Sequence, residues 1–312
     1  MPRPPPATAS VGPVTDDVHP LPAGLLRGEP RPVARNGRWF EGPAWLEDHS
    51  LVWSDVIGNR LLRRRPDAGT VTEDVGYGPG VVVEMEPSHH QNGHTVDREG
   101  RLLAASHGLR AVVRREADGS WTPLAERWQG GRFNSPNDLV VARDGSTWFT
   151  DPRYGLEKPE EGYGGEAELD GCYVYRVTPD GDVQRVSPAM PGPNGLAFSP
   201  DESVLHVVDS VDGVLWSYQV VDGSLGARWQ QATGQQPDGI RVDTEGRIWS
   251  SAGDGVRVWE PGGPDRPATL LGLLPLPERT SNLAFGGPDG STLAVTGGSR
   301  VWLVETGVRE AR

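Results

Sequence analysis

Short runs of alternating apolar and polar residues recur along the chain, and few stretches carry apolar residues at helical spacing. Runs such as LVWSDV, TWFT, LHVVDS and RIWSS are rich in β-branched and aromatic residues. Turn sequences such as DREGR, ARDGS, DTEGR and GPDGS separate them. This pattern predicts many short strands joined by tight turns, and therefore an all-β fold.

Composition agrees with this prediction. The chain of 312 residues contains 42 Gly and 29 Pro, which favours tight turns over long helices. A hydrophobic content of 36%, with 11 Trp, is enough for a core. Most tryptophans fall in predicted strands, and we expect them to pack there as core residues. These are Trp45, Trp53, Trp148, Trp216, Trp249, Trp259 and Trp302.

A polar residue followed by Gly, or a close variant of this step, recurs six times at intervals of 44 to 57 residues. The six segments are FEGPAW, QNGHTVD, SPNDLVV, PNGLAF, PDGIRV and TSNLAF. Repeats of this length with three or four strands each are typical of propeller blades. The sequence therefore predicts a six-bladed β-propeller, whose last blade is completed by a strand at about residues 30 to 38. Loop insertions are expected in the longer intervals, most plainly at 157–171.

The first strand of each propeller blade lies nearest the central axis. Equivalent residues at the starts of these strands therefore meet at one mouth of the channel. The six polar residues of the repeat are Glu41, Asn92, Asn137, Asn194, Asp238 and Asn282. Oxygen donors with two carboxylates suit a hard divalent cation such as Ca²⁺, or Mg²⁺ and Mn²⁺. One copy alone is more typical of a turn, but six aligned copies favour a metal site.

Charge and cysteine content narrow the class of protein. A net charge of −13 argues against nucleic-acid binding. The single cysteine, Cys172, fits a reducing compartment, and we expect it to be buried rather than nucleophilic. No segment approaches 18 apolar residues and no signal peptide is evident, so the prediction is a cytoplasmic protein that does not bind membranes. Residues 1–30 read as a Pro-rich arm and 31–312 as the catalytic propeller, in a monomer or dimer.

The segments EGPAW, SPNDLVV, DGSTWFTDPRYG, PNGLAFSPDE and PDGIRVDTEGRIW resemble the SMP-30/gluconolactonase/luciferin-regenerating-enzyme family of six-bladed propellers. The gluconolactonase-like branch is the most similar. The resemblance implies one divalent metal ion in the channel, Ca²⁺ foremost, with Zn, Mn, Mg or Fe as alternatives. It assigns Glu41, Asn194 and Asp238 as ligands, and Asn137 as a ligand or as the holder of a bound water or substrate. Two departures, His94 and Arg153, bear on the substrate.

The expected activity is hydrolysis of a small sugar lactone, such as an aldono-lactone, by a metal-activated water. The resemblance assigns the role of general base to Asp238. Candidate substrate-binding residues are Asn92, Asn137, His107, Arg153, Tyr154 and Trp39. His94 is expected to pack between blades. Three alternatives stay open: a hydrolase of other activated esters or organophosphates, a non-hydrolytic biosynthetic enzyme, and a non-catalytic calcium-binding propeller.

Overall fold

Antiparallel strands form nearly all the regular structure of residues 19–70 and 76–311, which are the residues that the computed structural model describes. The strands assemble into six four-stranded sheets in which sequence neighbours pair with one another. The predicted six-bladed β-propeller is confirmed. Within the described ranges, no helix has the length and apolarity that a membrane span requires.

The strands follow the chain blade by blade. After β1 (Arg31–Ala34), blade 1 contains β2 (Phe40–Trp45), β3 (Leu51–Asp55), β4 (Arg60–Arg64) and β5 (Val81–Met85). Blade 2 contains β6 (Gln91–Val96), β7 (Leu102–Ser106), β8 (Ala111–Arg115) and β9 (Trp121–Ala125). A small hairpin follows, formed by β10 (Arg127–Trp128) and β11 (Gly131–Arg132).

Blade 3 contains β12 (Leu139–Val141), β13 (Thr147–Asp151), β14 (Tyr173–Val177) and β15 (Val183–Arg185), with the short helices α1 (Tyr154–Glu157) and α2 (Pro159–Gly162) between its second and third strands. Blade 4 contains β16 (Pro193–Phe198), β17 (Val204–Asp209), β18 (Val214–Val221) and β19 (Ser224–Thr233). Blade 5 contains β20 (Ile240–Val242), β21 (Ile248–Ala252), β22 (Gly255–Glu260) and β23 (Thr269–Pro275). Blade 6 contains β24 (Asn282–Gly286), β25 (Thr292–Gly297) and β26 (Arg300–Glu305).

The ring is closed by β1, which pairs antiparallel with β26 and supplies the fourth strand of blade 6. Arg31 lies opposite Leu303 in this register. The expected closing strand at about residues 30 to 38 is therefore confirmed. Because β1 is the outermost strand of this sheet, it covers the outer edge of β26 and joins the two ends of the propeller.

Apolar side chains between neighbouring blades form the core, as the alternating pattern requires. Trp53, Trp148 and Trp249 lie at the second strands of blades 1, 3 and 5 and are fully buried. Each of the three packs in a different cluster between blades. Trp259 and Trp302 are also buried. The expectation that the strand tryptophans pack as core residues holds for these five.

Two further segments pack against the propeller. Residues 1–18 of the predicted Pro-rich arm lie outside the described residues, whereas Leu25 is buried in the cluster between blades 5 and 6. The boundary at residue 30 stays a prediction. The predicted insertion at 157–171 falls between β13 and β14, and it includes α2. Cys172, directly after it, is a free and buried cysteine whose pKa is raised to about 11 by burial.

Candidate metal and active site

The starts of the innermost strands meet at one end of the channel, where their backbones are in direct contact. The Gly93 N–H donates to the carbonyl oxygen of Asn137 across 2.8 Å, and the Gly195 N–H donates to that of Asp238 across 3.2 Å. The polar residues of the repeat are thereby brought together around the axis, as the sequence predicts. We call the six residues at this level the mouth ring: Glu41, Asn92, Asn137, Asn194, Asp238 and Ser281.

Ser281 belongs to the mouth ring in place of Asn282, which differs from the sequence alignment. In blade 3 the Asn137 N–H donates to the Thr150 carbonyl oxygen across 2.9 Å. The equivalent bond in blade 6 starts from Ser281 and has the same length. Asn282 therefore lies one residue further along its strand. Aligning on the polar residue shifted this repeat by one position, because both Ser281 and Asn282 are polar.

A second ring lies directly behind the mouth ring and consists of Gly42, Gly93, Asp138, Gly195, Gly239 and Asn282. The side chains of Asp138 and Asn282 fill it, and the Asn282 amide donates to Asp138 across 3.3 Å. A Cβ on Gly93 would lie 2.5 Å from Asp138 Oδ1, and one on Gly239 would lie 2.3 Å from Asn282 Oδ1. The recurring Gly after the polar residue is therefore required by crowding at the axis.

Asp138 is a buried charged residue beside the mouth ring that the sequence pattern did not single out. It is fully buried, and its Oδ2 lies 3.6 Å from Arg241 Nη1. Arg241 Nε in turn lies 3.5 Å from Glu310 Oε1, so charged groups continue down the channel. Burial raises the pKa of Asp138, and Arg241 opposes the rise. A signal was present in the sequence, because SPNDLVV carries Asp where four other repeats carry Gly.

Two buried carboxylates of the mouth ring, Glu41 and Asp238, influence each other. Burial raises the pKa of Glu41 well above its ordinary value, and Asp238 and then Asp138 raise it further. Burial also raises the pKa of Asp238 to about 7, with Arg279 opposing the rise. The Asn194 side chain lies close enough to Asp238 to lower the pKa of its carboxyl group. Like charges held together away from water are unfavourable unless a cation or a proton compensates them.

His107 lies behind two amides of the mouth ring. Its Nε2 is 3.4 Å from Asn92 Nδ2 and 3.3 Å from Asn137 Nδ2, and its ring is fully buried. Burial lowers the pKa of His107 to about 3, so the ring is neutral at physiological pH. The structure thus brings His107, Asn92 and Asn137 together, with His107 in contact with both amides and out of contact with solvent.

Three further side chains surround the mouth ring. Tyr154 donates from its hydroxyl to the Gly192 carbonyl oxygen across 3.2 Å, and burial raises the pKa of this hydroxyl. Trp39 lies close enough to Glu41 to lower the pKa of its carboxyl group. Arg279, which the sequence analysis did not single out, has Nη2 3.4 Å from Asp238 Oδ2 and a side chain that is 40% exposed. It lies at the rim, where solvent and the buried carboxylate meet.

The two departures from the family pattern, His94 and Arg153, each contact a backbone carbonyl oxygen. Arg153 donates from Nη2 to the Leu169 carbonyl oxygen across 3.4 Å, within the insertion of blade 3. His94 is fully buried, with Nδ1 2.8 Å from the carbonyl oxygen of Gly42 in the neighbouring blade. The expected packing of His94 between blades is confirmed.

The chemistry of the mouth ring fits a hard divalent cation. Its polar side chains offer carboxylate, amide and hydroxyl oxygens, and no thiolate or imidazole belongs to the ring. Among the described residues, no group of three or more His, Cys, Asp and Glu is placed to hold a metal. A cation here would therefore be held by the carboxylates of Glu41 and Asp238 together with amide oxygens. The family resemblance predicts that Asn137 and Asn194 are these amides.

Comparison with known proteins agrees with these features. Residues 39–299 match the model of the SMP-30/gluconolactonase/LRE-like region. The chain belongs to this family. A gluconolactonase of Zymomonas mobilis is 30% identical over 297 residues, which cover 88% of this chain and 80% of that protein.

Two solved structures are similar to this chain along nearly its whole length. A putative gluconolactonase is 41% identical with a TM-score of 0.81, covering 95% of this chain and 96% of the other. A gluconolactonase from Xanthomonas campestris is 38% identical with a TM-score of 0.79, covering 93% of this chain and 99% of the other. The family resemblance read from the sequence is confirmed.

Proposed function

We propose that this chain is a divalent-cation-dependent lactonase that hydrolyses a small sugar lactone, with an aldono-lactone as the expected substrate. The observation that carries the proposal is the pair of buried carboxylates, Glu41 and Asp238, in one channel mouth with two amides. Relatives named gluconolactonase support a lactone-hydrolysing enzyme. The propeller from residue 31 onward is the proposed catalytic unit.

Glu41, Asn194 and Asp238 are the proposed cation ligands, with Asn137 as a fourth ligand or as the holder of a water or substrate. A bound divalent cation supplies a Lewis acid that polarises an ester carbonyl and lowers the pKa of a bound water. Ca²⁺ is the first expectation, because the donors are all oxygens. Zn, Mn, Mg and Fe are the alternatives.

Asp238 is the proposed general base. Its carboxylate accepts a proton from the attacking water, whose oxygen forms a bond to the acyl carbon of the lactone. The bond between that carbon and the ring oxygen then breaks, and Asp238 returns the proton to the ring oxygen, which leaves as a hydroxyl group. The product is the open-chain hydroxy acid. Asn194, whose side chain lowers the pKa of Asp238, is proposed to hold this carboxylate in place for both transfers.

Substrate is expected to enter from the rim, where Trp39, Tyr154 and Arg279 surround the carboxylates. Trp39 and Tyr154 each combine an apolar ring with a hydrogen-bonding group, which suits a sugar ring with hydroxyls. Asn92 and Asn137 add amide groups at the level of the reacting atoms. Arg153 is the substrate candidate with the least support, because its guanidinium bonds the Leu169 carbonyl.

The test is proton release from a panel of lactones by the purified protein, with and without a chelator. Chelation should abolish hydrolysis and a divalent cation should restore it. Asp238→Asn keeps an oxygen donor but cannot accept the proton, so kcat should fall by about 100-fold or more at saturating cation. Asp265→Asn, an exposed carboxylate in blade 5, is the matched control. Cation binding without hydrolysis of any lactone would instead indicate a non-catalytic propeller.

A further inference from the structure

His107 makes a hydrogen bond that fixes which of its ring nitrogens carries the proton. Its Nδ1 lies 3.1 Å from the carbonyl oxygen of Glu161 in α2. A carbonyl oxygen can only accept, so Nδ1 must carry the hydrogen of this bond. In a neutral imidazole the other nitrogen, Nε2, is then an acceptor. The carbonyl oxygen of Glu161 thus determines that Nδ1 of the buried His107 ring carries the proton.

The acceptor at Nε2 is shared by two amides from neighbouring blades. The Nδ2 groups of Asn92 and Asn137 both lie within 3.4 Å of it. An amide that donates from Nδ2 toward the ring turns its Oδ1 the other way. The two orientations of an Asn side chain have nearly the same shape, so hydrogen-bond partners decide between them. His107 Nε2 thereby determines the orientation of the side-chain amides of both Asn92 and Asn137.

The short helices α1 and α2 pack tightly against His107, and two glycines make this close contact possible. A Cβ on Gly155 in α1 would lie 2.7 Å from His107 Cβ and 3.0 Å from Ser135 Cβ. The Gly155 N–H also donates to Ser135 Oγ across 3.0 Å. A Cβ on Gly162 in α2 would lie 2.5 Å from Gly155 Cα. The two short helices therefore hold the Glu161 carbonyl against the ring through close backbone contact.

We infer that His107 is a positioning residue, through which the α1–α2 insertion turns the amide oxygens of Asn92 and Asn137 toward the channel. The inference rests on the proposed function, because those oxygens matter only if a cation or a polar substrate occupies the mouth ring. Partners that orient ligand side chains commonly contribute 10- to 100-fold to metal affinity or activity. The insertion is thus assigned a role in the site, and His107 need not touch the substrate.

Two substitutions at one position separate this role from a general effect on folding. His107→Gln places an amide oxygen near the position of Nε2 and keeps the acceptor for the two asparagines. His107→Asn keeps a donor near the position of Nδ1 for the Glu161 carbonyl, but its side chain is too short to supply the acceptor. Thermal unfolding of both variants establishes that each is folded.

The measurements are calcium affinity by isothermal titration and the steady-state constants for a glucono-lactone. We expect His107→Asn to weaken calcium binding or raise KM by about tenfold or more, while His107→Gln stays within about threefold of the wild-type values. Equal values for His107→Asn and the wild type would overturn the inference. Equal losses in both variants would overturn it as well, since they would indicate a packing role.

Nitrogen-15 NMR of ring-labelled histidine supplies a test that is independent of activity. The wild-type signal that disappears in His107→Asn should report a protonated Nδ1 and an unprotonated Nε2 at neutral pH. A proton on Nε2 would contradict the inference even if the enzyme is a lactonase. Conversely, a wild-type protein that binds no divalent cation and hydrolyses no lactone, yet shows protonated Nδ1, would refute the proposed function while the assigned hydrogen bonds hold.

Discussion

Arg279 Nη2 lies 3.4 Å from Asp238 Oδ2, and the Arg279 guanidinium lies 5.7 Å from the centre of the Trp39 ring. A positive group therefore stands at the rim, directly beside a carboxylate that we propose as both cation ligand and general base. Burial raises the pKa of Asp238, and the positive charge of Arg279 opposes this rise. A cation bound by Asp238 would compete with this guanidinium for the same carboxylate.

The first prediction concerns this competition. Arg279→Gln removes a positive charge beside the proposed cation, so calcium should bind more tightly, by about threefold or more at low ionic strength. The gain should shrink as salt is added, because the Arg279 side chain is 40% exposed and its charge is screened. Isothermal titration at two salt concentrations measures both effects. Arg279→Lys, which keeps the charge, should bind calcium like the wild type; weaker binding by Arg279→Gln would contradict the competition.

The second prediction concerns Glu41, whose carboxylate is buried beside Asp238. Glu41→Gln removes one of two proposed anionic ligands, and calcium affinity should fall by about tenfold or more. The same change removes repulsion between buried carboxylates, so the chelated variant should unfold at a higher temperature than the chelated wild type at pH 7.5. Elemental analysis and calorimetry provide the two measurements. Glu260→Gln, an exposed site at the end of β22, should change neither quantity.

Unchanged metal content in Glu41→Gln would remove Glu41 from the ligand set. A fall in both affinity and chelated stability would mean that Glu41 is needed for folding rather than for binding. A cation ligand is expected to give weaker calcium binding together with higher stability of the chelated variant. A residue needed for folding would lower both quantities.

The third prediction follows from the raised pKa values of Glu41, Asp138 and Asp238. Each carboxyl group binds its proton more tightly in the folded chain than in the unfolded chain. Their contribution to stability is present below the ordinary carboxyl pKa of about 4 and is lost as pH rises toward about 7, the folded value of Asp238. The chelated protein should therefore lose stability over this range.

Calcium should reverse that trend, because a cation compensates the same charges once they have lost their protons. The rise in Tm on adding calcium should be larger at pH 7.5 than at pH 5, by about 2 °C or more. Scanning calorimetry of chelated and calcium-loaded samples at both pH values gives the comparison. An equal rise at both pH values would place the cation away from these carboxylates.

The fourth prediction concerns crowding in the second ring. A Cβ on Gly195 would lie 2.4 Å from the Asp238 carbonyl oxygen and 2.7 Å from Gly239 Cα, both backbone atoms. Gly195→Ala should therefore lower the free energy of unfolding by about 2 kcal/mol or more, since the backbone must shift. Gly263→Ala meets no atom within 4 Å and should stay within about 0.5 kcal/mol of the wild type. Urea denaturation compares the two; a tolerated Gly195→Ala would mean that the inner strands can separate at the axis.

Local sequence patterns were sufficient to predict the class of fold, the number of blades and most of the mouth ring. Strand alternation and turn residues are local, and each repeat carries both, so the six blades could be counted without a structure. Five of the six aligned polar residues lie at the same level of the channel, because equivalent positions in equivalent strands must meet at the axis. The closing strand followed from the same reasoning, since a ring of blades needs its ends joined.

The folded chain was needed to establish the register at the sixth blade, the burial of Asp138 and the partners of His107 and Arg279. Ser281 and Asn282 are both polar, so residue type could not show which one faces the mouth. Arg279 meets Asp238 across 41 residues and His107 meets Asn137 across 30. A sequence pattern records which donors and charges are present and at what spacing. Which of them touch is decided by how separate blades pack, because hydrogen bonds and ion pairs depend on distances that no local pattern contains.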